Sequence, residues 1–111
     1  MNNVMAHVYI GTEQDKDGNE LEMSGGDILK WAMRVYTERF GGCTAFEAFG
    51  SFKHKDGRVV IEQAVVVSVL IGDDTQGTWV EEMAEGFRAA LKQESVLVTY
   101  TPVEARFVEA A

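Results

Sequence analysis

From Val4 to Ile10 apolar and polar residues alternate, with β-branched and aromatic side chains among them, and a period of two predicts a strand. Residues 11–23 are polar and carry Asp17-Gly18-Asn19, so a loop follows. The period then changes. Ser24 and Asp27 stand three apart as a helix-capping pair, and Ile28, Ala32, Val35, Tyr36 and Phe40 recur at helical spacing. Gly41-Gly42 ends that helix, because glycine accepts positive φ without steric cost. Thr44 to His54 alternates again, Asp56-Gly57 is a strong hairpin signal, and Val59 to Ile71 is the most β-branched segment. As a two-residue turn, Asp56-Gly57 sets Phe52 opposite Ile61, Ala48 opposite Val65 and Phe46 opposite Val67. Gly72-Asp73-Asp74 breaks the strand. Thr78 with Glu81 reads as a capping box, ahead of an apolar stripe of Val80, Met83, Ala84, Phe87 and Leu91. Ser95 to Thr101 predicts a last strand, which Pro102 interrupts before a short tail strand over 103–108.

The order β-α-β-β-α-β predicts an α+β fold, a ferredoxin-like plait: a four-stranded antiparallel sheet with two helices on one face, plus the short C-terminal strand. A chain of 111 residues fits one domain, 1–111, without an internal repeat or linker. Alternation assigns Val4, Ala6, Val8 and Ile10, Phe46, Ala48 and Phe52, Ile61, Val65, Val67, Val69 and Ile71, and Val96, Val98 and Tyr100 to the helix side. The other side then carries Met5, His7, Tyr9, Glu47, Phe49, Ser51, Glu62, Ala64, Val66, Ser68, Leu97 and Thr99. Half of these are apolar. An open antiparallel face is ordinarily polar, so this one marks an interface or a ligand site.

Charge narrows the partners. Eighteen acidic residues against ten basic ones give a net charge of −8, which repels phosphate backbones and argues against direct nucleic-acid binding. The acidic residues are scattered, so solubility is the simplest meaning of the charge. One cysteine, Cys43, cannot make an internal bridge and suits a reducing compartment. The first residues lack a basic, then apolar, leader, and no apolar run is long enough to cross a bilayer, so a cytoplasmic setting without membrane contact is expected.

Candidate chemistry is sparse. Gly25-Gly26 and Gly41-Gly42 lack the spacing and the Lys-Ser/Thr of a phosphate-binding loop. His7 and His54 have no Cys or carboxylate at ligand spacing, and the acidic residues between Asp15 and Glu22 do not match a calcium loop. No metal and no cofactor is expected. Trp31 and Trp79 read as helix packing residues.

The segments Arg39-Phe40-Gly41-Gly42-Cys43-Thr44, Gly50-Ser51-Phe52, Asp56-Gly57-Arg58, Glu62 and Gln93-Glu94-Ser95-Val96-Leu97-Val98 resemble a small uncharacterised family of bacterial and phage proteins, a domain of unknown function. The resemblance spans about residues 24–108. It implies the plait and brings no established activity or catalytic residues. The chain lacks the lipoprotein-type leader of some bacterial members, which points to a phage or cytosolic setting, the host cytoplasm if the chain is phage-encoded.

The leading expectation is a non-enzymatic, oligomeric binding protein, a homodimer or higher homo-oligomer. In a phage its role would be counter-defence, by sequestering a small nucleotide-like host signal or by binding a host protein. Met5, Ala64, Val66, Ser68, Leu97 and Thr99 would form the subunit interface. His7, Tyr9, Glu47, Phe49, Ser51 and Glu62 would line a ligand site, with Arg106 as a nearby cation. The alternatives are a cofactor-independent plait-dimer enzyme of the monooxygenase or isomerase type, with His7 or Glu62 carrying the proton, and an acidic nucleic-acid mimic.

Overall fold

The computed structural model describes residues 3–111 and runs β1 (Asn3–Gly11), α1 (Gly25–Phe40), β2 (Thr44–Lys53), β3 (Val59–Ile71), α2 (Asp74–Ala90) and β4 (Leu97–Val103). The strands lie in the order β2-β3-β1-β4, all antiparallel, so the fold is the expected ferredoxin-like plait. Residues 1 and 2 of the expected domain lie outside the described residues. Among the described residues no helix is long and apolar enough to cross a membrane.

Local chemistry sets the helix ends. The Ser24 hydroxyl accepts from the Asp27 amide at 3.1 Å, and Gly41 closes α1 at φ 83°. The expected start of α2 is late by five residues. Asp73 is the cap, accepting from the Gln76 amide at 2.8 Å, while Thr78 lies inside the helix with its hydroxyl on the Asp74 carbonyl. Thr78-x-x-Glu81 satisfies a capping pattern, but Asp73-x-x-Gln76 satisfies one five residues earlier, and the helix starts there.

The core lies between the helices and one face of the sheet. Ala6, Val8 and Ile10 of β1 and Val65, Val67, Val69 and Ile71 of β3 meet Ile28, Ala32 and Tyr36 of α1 and Val80, Ala84 and Phe87 of α2. Phe87 packs between Trp31, edge-on at 4.5 Å, and Tyr36, stacked at 6.0 Å. The Tyr36 hydroxyl donates to the Val80 carbonyl at 3.3 Å and so ties the two helices together.

The hairpin departs from expectation by one residue. His54 pairs with Arg58, leaving a three-residue loop in which Gly57 alone has positive φ, at 90°. Its amide donates to the His54 carbonyl at 2.9 Å, and the Asp56 carboxylate accepts from the Arg58 amide at 2.9 Å. A two-residue primed turn of the Asn-Gly type would need positive φ at Asp56 as well. The extra loop residue shifts the ladder: Phe52 faces Val60, Ala48 faces Ala64 and Phe46 faces Val66. A shift of one turns every β2 side chain over. Phe46, Ala48 and Phe52 therefore share the face away from the helices with Tyr9 and Val66. Glu47, Phe49 and Ser51, expected on that face, belong to the opposite one. β1, β3 and β4 keep the faces predicted for them.

Two further expectations change at the C-terminus. Pro102 sits within β4, opposite Val4, because β4 is an edge strand and loses no ladder bond through the missing amide hydrogen. The tail strand over 103–108 is absent: the strand ends at Val103 and the residues after it make no ladder. Phe107 and Val108 are exposed, so the tail has nothing to pair with.

Candidate functional site

The last pair between β1 and β3 is Gly11 with Ala64, so β3 continues past β1 toward the hairpin. The tip of this extension rests on the segment before β4. The Lys55 amide donates to one Glu94 carboxylate oxygen at 3.1 Å, and buried His54 sets Nδ1 3.8 Å from the other. On the other flank Arg58 donates to the Lys16 carbonyl at 2.9 Å. The hairpin thereby becomes the wall of a cup of about 580 Å³ on the helix-free face. Phe46, Ala48, Gly50 and Phe52 line it from β2, Gln93 to Ser95 and Leu97 from the far side, and Tyr9, Gly11, Glu62, Ala64 and Val66 from below. The more apolar side of β2 is here, facing the cup in place of the helices.

Glu62 sits opposite Gly50 and is only 2% exposed, rare for a carboxylate. Its Oε2 accepts the Glu13 and Gln14 amides at 3.1 and 3.0 Å. Its Oε1 is buried and has no hydrogen-bond partner. Beside it lies buried Gln93, whose Nε2 donates to the carbonyls of Gln14 at 2.8 Å and Leu91 at 3.2 Å. A Cβ placed on Gly11 would lie 2.6 Å from Glu62 Oε1 and 2.8 Å from Gln93 Oε1. Gly11 matters for space, not for conformation: a side chain there would displace the ends of Glu62 and Gln93, whose oxygens converge where it would begin. A buried carboxylate oxygen left unpaired costs stability, and such groups gather where a ligand supplies the missing partner.

Of the residues singled out in the sequence, the structure gathers Tyr9, Glu62, Ala64, Val66 and Leu97 around the cup. Phe49 and Ser51 also touch its rim, although their ladder positions put them on the helix side, where the helices do not reach and Phe49 is 80% exposed. Glu47 accepts from the Gln63 side chain at 2.7 Å on that same side and takes no part. His7 lies farther along the open face, with Nδ1 2.7 Å from the Ser68 hydroxyl; Met5 and Thr99 are its neighbours there. Arg106 is in the exposed tail, bonded to Glu104 at 3.0 Å, and does not line the cup. Val66, expected as an open interface residue, is 3% exposed within the single chain, covered from its own side of the sheet. Gly11, Gln93, Glu94, Phe46 and Phe52 were missed. Gln93-Glu94 was visible as two polar residues immediately before the last strand, but nothing in the sequence brings that segment to Glu62. Among the described residues no group of three or more His, Cys, Asp or Glu side chains is placed to hold a metal ion.

The model of a family described as proteins of unknown function (DUF3574) matches residues 5–107. Two solved structures share the fold. A phage SAM lyase in complex with S-methyl-5′-thioadenosine aligns at a TM-score of 0.69 and 17% identity, covering 96% of this chain and 93% of that one. A phage SAM lyase in its apo state aligns at 0.72 and 16%, covering 97% and 94%. Nothing among the curated proteins matches. At these identities the likeness is one of fold. Both structures are nonetheless of an enzyme built on this plait, and that finding overturns the expectation of a non-enzymatic binding protein.

Proposed function

This chain belongs to the DUF3574 family of proteins of unknown function, and we propose that it is an enzyme that cleaves a sulfonium nucleoside of the S-adenosylmethionine class in the cup on the open sheet face. The observation that carries the proposal is the unpaired, buried oxygen of Glu62 at the base of an aromatic-walled cup. Such a site favours a cationic, partly apolar ligand. Tyr9, Phe46 and Phe52 line the cup with aromatic rings, which attract a cation such as a sulfonium, and a chain of net charge −8 attracts a cation from solution. The fold likeness to a phage SAM lyase with S-methyl-5′-thioadenosine bound lends support to this substrate class.

The chemistry asks little of the protein. A sulfonium is its own leaving group: the bond from sulfur to the amino-acid fragment breaks, its electron pair goes to sulfur, and a neutral thioether remains. The fragment's own carboxylate forms a C–O bond to the carbon that leaves, so atoms and charges balance without a proton donor or an added reactant. That step joins two opposite charges, and apolar walls that exclude water favour it. The cup would hold the substrate in the bent conformation the closure needs. The substrate is an intracellular metabolite, in keeping with a cytoplasmic setting.

Incubation of the protein with S-adenosylmethionine should release S-methyl-5′-thioadenosine, followed by chromatography. Glu62→Gln, which keeps the side-chain shape, should slow release by about 100-fold or more, the scale of losing a charged contact in a desolvated site. A wild-type chain that neither binds nor cleaves this substrate would sink the proposal. The same reading takes the protein as a homo-oligomer. It is supported by the exposure of Phe46 and Leu97 at the rim of the cup, where a second copy would complete the apolar wall.

A further inference from the structure

We infer that Glu62 and Gln93 form a receptor for a primary ammonium group, which would take the amino end of the ligand; the inference rests on the cup being the binding site. Gln93 is fixed in one orientation. Its two close partners on the nitrogen side, the carbonyls of Gln14 and Leu91, are acceptors only, so the amide nitrogen must face them. Its Oε1 then points to the space over Gly11, where Glu62 Oε1 also arrives. Two acceptors facing one small volume call for a donor with at least two hydrogens, and the buried carboxylate calls for a cation; water or a neutral amine brings the hydrogens without the charge. A sulfonium brings none. A hydroxyl brings one and leaves the carboxylate charge uncompensated in a buried place. A primary ammonium brings three hydrogens and the compensating charge. Gly11 keeps the volume free, since any side chain there would begin within 2.8 Å of both oxygens.

Two probes of equal charge separate hydrogen-bond donation from simple cation attraction. Hexylammonium and hexyltrimethylammonium carry the same apolar chain, and only the first has N–H donors. In calorimetric titration of the intact wild-type protein, hexylammonium should bind at least ~10-fold tighter, the scale of hydrogen bonds to a charged group. Gly11→Ala, which fills the space, should abolish that preference. Gln93→Met should reduce it to within about twofold while Glu62 still attracts both cations. Equal affinities for the wild type, or no binding of either probe, overturn the inference, as does an unaltered preference in Gly11→Ala. The wild-type comparison does not depend on any variant folding. No nucleoside is present, so a preference for hexylammonium stands even if S-adenosylmethionine is not cleaved. Cleavage without the preference would remove the ammonium assignment alone.

Discussion

A tyrosine at the edge of the sheet shows how one side chain can couple an element to solvent pH. Tyr100 of β4 lies on the helix side, and its hydroxyl donates to the Glu81 carboxylate, with the Gly77 carbonyl 3.4 Å away. Partial burial, together with the bonded and negatively charged Glu81, pushes its pKa from 10.0 up to about 12. The folded chain thus holds the phenol proton more tightly than the unfolded chain does. The contribution to stability is complete below pH 10.0 and is lost as pH rises through about 12. Thermal melts between these values should show the wild type losing stability more steeply than Tyr100→Phe. Equal slopes would mean that the Glu81 contact contributes nothing in solution. Glu62 makes the complementary point: sequence marked it as a polar residue in an apolar strand, but its unpaired oxygen depends on Glu13, Gln14, Gln93 and Gly11, which come from elsewhere in the chain.

At the scale of elements, the caps and turns were largely written locally. Ser24, Gly41-Gly42 and the stripes on both helices were legible because a cap or a periodic face needs only near neighbours. The start of α2 was not, since two overlapping capping patterns compete. Asp73→Ala should lower stability by about 1 kcal/mol, measured by urea unfolding, whereas Thr78→Ala should change it by a few tenths at most. A larger loss at Thr78 than at Asp73 would restore the later start. The hairpin teaches a similar lesson. Asp56-Gly57 announced a turn, but two- and three-residue loops share that signal. The choice between them decides which side of β2 each phenylalanine takes.

For the molecule as a whole, function turns on the surfaces that a single chain leaves uncovered. Leu97 is 59% exposed at the rim of the cup and is the better probe of association than Val66, whose charge substitution would disturb the single chain itself. Sedimentation of the wild type should show a species larger than one chain at tens of micromolar. Leu97→Glu should shift it toward the monomer by one to two orders of magnitude in affinity, with the circular dichroism spectrum unchanged. A wild type that sediments as a single chain would show the cup to be complete in one copy.

The sequence by itself determined the order of the elements, the plait, the faces of β1, β3 and β4, and the presence of an apolar sheet face unlike an ordinary solvated one. These follow from periods of two and 3.6 and from residues that fix local backbone, and all are short-range properties. It identified β2 as amphipathic but not which layer its apolar side would meet, because alternation records that a face is buried and not what buries it. Only the tertiary structure decided that the hairpin tip rests on Glu94 and that the phenylalanines of β2 wall a cup. Only there do Gly11, Glu62 and Gln93, 82 residues apart at their extremes, converge on one small volume. The phenylalanine wall in turn depends on the register of a loop one residue longer than its signal suggests, and no local pattern encodes it.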